Sequence, residues 1–139
     1  MMKKYMNDKI AKILHKSTFK VEPGKFMCIT VSEVTESGKH FLLARDGDEI
    51  TVITKAENSS GLKISNSDQG FSNLRLIAIN ISNPVSAVGF LAGITQAMAK
   101  ADINILVVST YSKDHILIED SKIEAAKSAF LKLGLQEVK

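Results

Sequence analysis

The sequence predicts an α+β protein whose second half is a strand–helix–strand–strand–helix–strand module. Three observations predict it. Val88, Leu91, Ile94, Met98 and Ala101 recur at three- and four-residue spacing, the period of a helix with one buried stripe. The run 103–111 is almost unbroken apolar and β-branched sequence, which reads as a strand buried on both faces or next to the sheet centre. Ile123, Ala126, Phe130 and Leu133 form a second helical stripe, and Gly134 stands where a helix ends.

The remaining elements follow in order. Residues 7–17 place Ile10, Ile13, Leu14 and Ser17 on one face with lysines opposite, an amphipathic helix of about three turns. Pro23-Gly24 closes the segment after it. Residues 25–32 are rich in Phe, Ile, Thr and Val and read as a strand, and residues 34–39 as a polar turn. Residues 41–45 and 49–54 flank Asp46-Gly47, a hairpin signal because Gly tolerates the positive φ such turns demand. Residues 57–70 are polar and rich in Ser, Asn and Gly, so 57–72 is expected to be a connector between an N-terminal half, 1–56, and the module, 73–139.

Within the module, residues 74–81 alternate as a strand, and Asn83-Pro84 offers an N-cap followed by proline at the first helical position. Ser86 is the alternative cap. Ser112-Lys113-Asp114 turns the chain into a strand at 115–119. Ser121-Lys122-Ile123-Glu124 has the form of a capping box, and residues 135–138 read as a final strand. Right-handed crossovers make this order a four-stranded antiparallel sheet with two helices on one face, the ferredoxin-like arrangement. That arrangement hosts many functions.

Composition narrows the function. No 18-residue apolar run and no leader pattern occur, so a soluble, cytoplasmic protein is expected. Cys28 is the only cysteine, which rules out an internal disulfide and a cysteine-based zinc site. His15, His40 and His115 have no metal-ligand spacing. Phosphate loops and serine nucleophile elbows are absent, so no enzyme and no cofactor is expected. Asp46, Asp48 and Glu49 cluster around a turn, where carboxylates are ordinary turn-formers. Nucleic acid and membrane are not expected partners. The predicted central strands lack the stacking aromatics of ferredoxin-like RNA binders, and the net charge is only +3. The charge is nevertheless uneven: residues 1–20 hold six lysines against Asp8 and carry +5, the rest −2. A solvated helix face explains these lysines, and contact with an anionic partner is the alternative.

What remains is a pair of loops. The first module helix starts near Val85–Gly89, and its free amides suit a carboxylate. Gly89 permits close backbone approach, and Asn104 offers donors and acceptors at the next strand's start.

Here the residues resemble a known family. Residues 89–105, opening on Gly89 and closing on Ile103-Asn104-Ile105, are similar to the signature of ACT domains, in which a glycine opens the first helix and an Ile-Asn element follows about fifteen residues later. Ser109-Thr110-Tyr111-Ser112-Lys113-Asp114-His115-Ile116-Leu117-Ile118 resembles a run found in small bacterial tandem-ACT proteins and in the cytosolic arginine sensors of animals. The resemblance covers most of residues 25–138 and is most specific from Ser86 to Glu119. It implies that the N-terminal half is a degenerate ACT-like copy. It also implies a non-enzymatic regulatory protein whose modules pair side by side, as in a homodimer, with an amino acid held between them. By position, Ser86, Val88, Gly89, Asn104 and Ile105 would contact that ligand, and Asp114 would serve its ammonium or order the turn. Asn83-Pro84-Val85 departs from the family's usual small or acidic loop. The output would pass through an unidentified regulated protein or through assembly. The alternative is a dimerisation or interaction module that needs no ligand, because edge strands of such sheets pair readily.

Overall fold

A computed structural model describes residues 7–67, 71–84 and 87–139. The chain divides into two compact units, one of residues 1–22 with 76–139 and the other of residues 23–75. This differs from the expected division at 56 and 73. The N-terminal helix belongs to the C-terminal unit, because its apolar stripe is part of that unit's core.

In the first unit, α1 (Asp8–Lys16) is capped by Asn7, whose side chain accepts from the Ile10 amide at 2.9 Å. Ile10, Ile13 and Leu14 are buried in one cluster with Phe90, Ile94 and Met98 of α2 (Phe90–Lys100) and with Ala126 and Phe130 of α3 (Ile123–Leu133). The strands of this unit are β1 (Thr18–Val21), β6 (Leu74–Asn80, from Leu76 onward), β7 (Leu106–Ser109), β8 (Asp114–Glu119) and β9 (Gln136–Glu137). Their order is β9-β1-β6-β8-β7. Phe19, Ile77, Ile79, Ile116 and Ile118 face the three helices, as the alternation of a strand requires.

The α+β class and the helix–strand order of the module are as expected, but the sheet holds one more strand. β1 lies between β6 and β9, antiparallel to β6 (Phe19↔Ile79) and parallel to β9 (Thr18↔Gln136). Four residues are too few to show a strand period, and Phe19 earns its place only in three dimensions, stacked edge-on against Phe130 with centroids 5.2 Å apart. Ser17, fully buried between α1 and β1, donates to the Ile13 carbonyl at 2.6 Å and accepts from the Ser82 amide at 3.1 Å.

Three local expectations change. α2 begins at Phe90, several residues after Asn83-Pro84. Gly89 occupies its N-cap with φ +93, a left-handed conformation that favours glycine, and makes no side-chain cap. The capping box does not form: Ser121 sits inside a 3₁₀ turn, Asp120–Lys122, and its Oγ donates to Glu119 Oε2 at 3.5 Å. The run 103–111 yields only a short strand, β7, which pairs with β8 alone among the described strands and leaves Val107 exposed. Its apolar character reflects an edge and not a centre.

The second unit contains β2 (Phe26–Val31), β3 (Leu42–Asp46), β4 (Glu49–Lys55) and β5 (Ile64–Ser67), with β2 between β4 and β5 and β3 outside β4, all antiparallel. Its described residues include no α-helix. Ile29, Val31, Ile50 and Val52 form its buried cluster. The hairpin turns on Gly47 (φ +59) and Asp48, one residue later than the Asp-Gly pair suggested. The expected connector 57–72 contains β5, whose alternation Ile64–Asn66 is too polar to announce a strand.

Candidate functional site

Of the residues singled out by sequence, Val88, Gly89, Asn104 and Ile105 lie on loops of the first unit and Asp114 opens β8. α2 leads from the end of β6 to the start of β7, so its two ends lie at opposite ends of the sheet. Val88 and Gly89 precede its first turn, and Val88 is 89% exposed. The Phe90 amide donates to Ala87 and the Gly93 amide to Gly89, while Leu91 and Ala92 have no backbone partner among the described residues. Those two amides are what a carboxylate would meet. Ser86 falls outside the described residues.

Asn104 and Ile105 stand beyond the other end of α2. Between Gly89 and Ala101 the axis rises about 18 Å at 1.5 Å per residue. Asn104 is exposed. Ile105 packs against the core cluster, so any ligand contact from it would come through its backbone. One chain therefore does not bring the two predicted halves of the site together.

β7 runs back toward the Gly89 end, and there the β7–β8 hairpin closes. Ser109 and Asp114 are register partners, and Ser109 Oγ donates to Asp114 Oδ1 at 2.6 Å. The Thr110 amide donates to the Lys113 carbonyl at 2.9 Å and its Oγ1 donates to the same oxygen at 3.2 Å. Tyr111, at the tip, is fully exposed. The Ser-Thr-Tyr-x-x-Asp run thus builds a tight turn in which the Ser109 and Thr110 hydroxyls are engaged locally. Asp114 keeps its second carboxylate oxygen for another donor. Beside it, His115 is buried, and that burial lowers its imidazole pKa, with Lys113 adding to the effect while the Val108 backbone and the charges of Asp114 and Glu22 oppose it.

Sequence reasoning missed two polar arrangements, Ser17 with Ser82, and His40 with Thr54. His40 Nδ1 lies 2.8 Å from the buried Thr54 Oγ1, and Nε2 lies 3.1 Å from the Thr35 carbonyl. A lone histidine before a strand carries no signal for such a bond. Among the described residues no group of three His, Cys, Asp or Glu is placed to hold a metal ion, and no helix is long and apolar enough to cross a membrane.

Residues 71–132 match the family model of the ACT domain. Over that span the chain is similar to an ACT domain. The matched span runs from just before β6 to the end of α3, so α1 and β1 are additions that pack onto the ACT domain from the other terminus. Solved structures share the fold. A Vibrio cholerae protein of unknown function, described as a possible transport protein, is 21% identical with a TM-score of 0.75, over 91% of this chain and 96% of its own. The aspartate kinase of Clostridium acetobutylicum is 13% identical with a TM-score of 0.62, over 85% of this chain and 34% of its own. The regulatory subunit of aspartate kinase from Thermus flavus is 13% identical with a TM-score of 0.53, over 84% and 95%. No curated protein is matched by the sequence. ACT domains are typically regulatory modules for small molecules, amino acids among them.

Proposed function

We propose that this protein is a non-enzymatic regulator that binds an amino acid between the ACT domains of two copies. The observation that carries this reading is the separation of the two ligand-facing loops by the length of α2, on a domain whose β7 edge is unpaired among the described strands. A two-fold axis beside β7 pairs the two edges antiparallel. It sets Asn104 of one copy beside the Gly89 and Asp114 end of the other. The chemistry then suits a zwitterion: the Leu91 and Ala92 amides for its carboxylate, the open Asp114 oxygen for its ammonium, and the Asn104 amide for either. Exposed Val88, Val107 and Tyr111 supply apolar surface for a partner copy at that edge.

The test is a thermal-shift screen of the full chain against the twenty amino acids, with the oligomeric state followed by light scattering. A ligand at about a hundred times its Kd stabilises by roughly 2.7 kcal/mol. One amino acid that raises Tm, and fails to do so in Asn104→Ala, supports the proposal. A tight dimer that no amino acid shifts supports instead a ligand-independent dimerisation module, a reading favoured by the local completeness of the Ser109–Asp114 turn. A monomer across micromolar concentrations removes both.

A further inference from the structure

A cleft lies between α1 and the start of the β6–α2 loop. Lys9, Lys12, Ile13, Lys16, Ser82 and Asn83 line about 370 Å³. The three lysines are spaced i, i+3 and i+7, so they share one face of α1 over about 10 Å of axis. None of them has an ion-pair partner among the described residues, whereas Lys20, Lys39, Lys63 and Lys127 each have one. None of the described residues lining the cleft is acidic. Like charges at helical spacing repel and weaken the helix unless an anion joins them.

The floor is fixed in place. Ser82 Oγ donates to the Ile13 carbonyl at 3.2 Å, and the Ser82 amide donates to Ser17 Oγ. Asn83 lines the cleft together with the three lysines. Among the described lining residues the charged side chains are all cationic and are spaced along α1.

We infer that the cleft is an anion site for a small phosphate-bearing molecule, its negative charges strung along Lys9, Lys12 and Lys16. Two macromolecular occupants fit less well. Insertion in an anionic membrane surface needs an apolar helix face, and Ile10, Ile13 and Leu14 of α1 are buried in the core. A single-stranded nucleic acid needs stacking aromatics, and none of the described residues lining the cleft is aromatic. Concavity and the short row of charges favour a polyphosphate chain of small-molecule length.

Calorimetric titration of the full chain at low ionic strength tests this, with inorganic phosphate, inorganic triphosphate and ATP as probes. The expected result is saturable binding of triphosphate and ATP at one per chain, with inorganic phosphate weaker. Lys12→Gln combined with Lys16→Gln should weaken binding at least tenfold, while Lys63→Gln should leave it unchanged. Unliganded Tm of the double variant serves as the fold control, expected to equal or exceed wild type because repulsion is relieved. Absence of saturable binding, or binding indifferent to the lysine substitutions, overturns the inference. So does binding confined to a single-stranded RNA or to phosphatidylglycerol vesicles.

Discussion

Ser109 and Asp114 face each other across the mouth of the β7–β8 hairpin, with the serine hydroxyl donating to the carboxylate at 2.6 Å. The bond is charge-assisted and spends one of the two carboxylate oxygens. It gives Asp114 a structural duty that is complete without a ligand, and leaves it one oxygen with which to hold one.

The two duties separate by substitution. Asp114→Asn retains an oxygen for Ser109 but loses the charge, so Tm should fall by no more than a few degrees while amino-acid binding drops at least tenfold. Asp114→Ala should lower both. Equal ligand affinity in wild type and Asp114→Asn, measured by calorimetry, would show that the residue only orders the turn.

His115 makes stability depend on pH. Burial holds its pKa below the ordinary 6.5, so the unfolded chain takes up its proton first as pH falls. The stability is present above the unfolded pKa and is lost as pH drops from there toward the folded value. Tm should therefore decline as pH falls below about 6.5, above the range where most carboxylates titrate. His115→Gln should flatten the curve in that window, and an unchanged slope would clear His115 of the effect.

Gly134 ends α3 at φ +107, and a Cβ placed there would stand 3.0 Å from His15 Nδ1. Gly134→Ala should destabilise by about 1–2 kcal/mol from backbone strain alone, more while the imidazole stays in place. In a His15→Ala background only the strain should remain. Urea unfolding with an unchanged m-value measures both; a Gly134→Ala chain as stable as wild type would refute the account.

α1 and β1 are part of the first unit's core. Phe19→Ala should cost about 3–5 kcal/mol, the usual loss for a fully buried phenylalanine. Residues 73–139 produced alone lack β1 between β6 and β9, and lack Ile10, Ile13, Leu14 and Phe19 against the three-helix core. That fragment should bind a hydrophobic dye and show no fixed near-ultraviolet dichroism. A native-like spectrum would mean that residues 1–22 are dispensable.

The sequence by itself determined the elements that local chemistry controls. The stripes Ile94–Met98 and Ala126–Phe130 announce α2 and α3, Gly134 announces the end of α3, and the turn at Gly47 announces β3 and β4, because helix period, left-handed φ and hairpin twist act over a few residues. The Ser109–His115 run identified the family before its geometry was known. Only the tertiary structure decided the rest. Phe19 becomes a core residue through Phe130, more than a hundred positions away, and β5 exists because β2 offers it an edge. The apolar run 103–111 looks central but forms an edge strand, since sequence hydrophobicity does not say which side of a sheet stays open. The loops at Gly89 and Asn104 looked like one site in the sequence. The rise of α2 between them holds them apart in a single chain, and that is a distance no local pattern encodes.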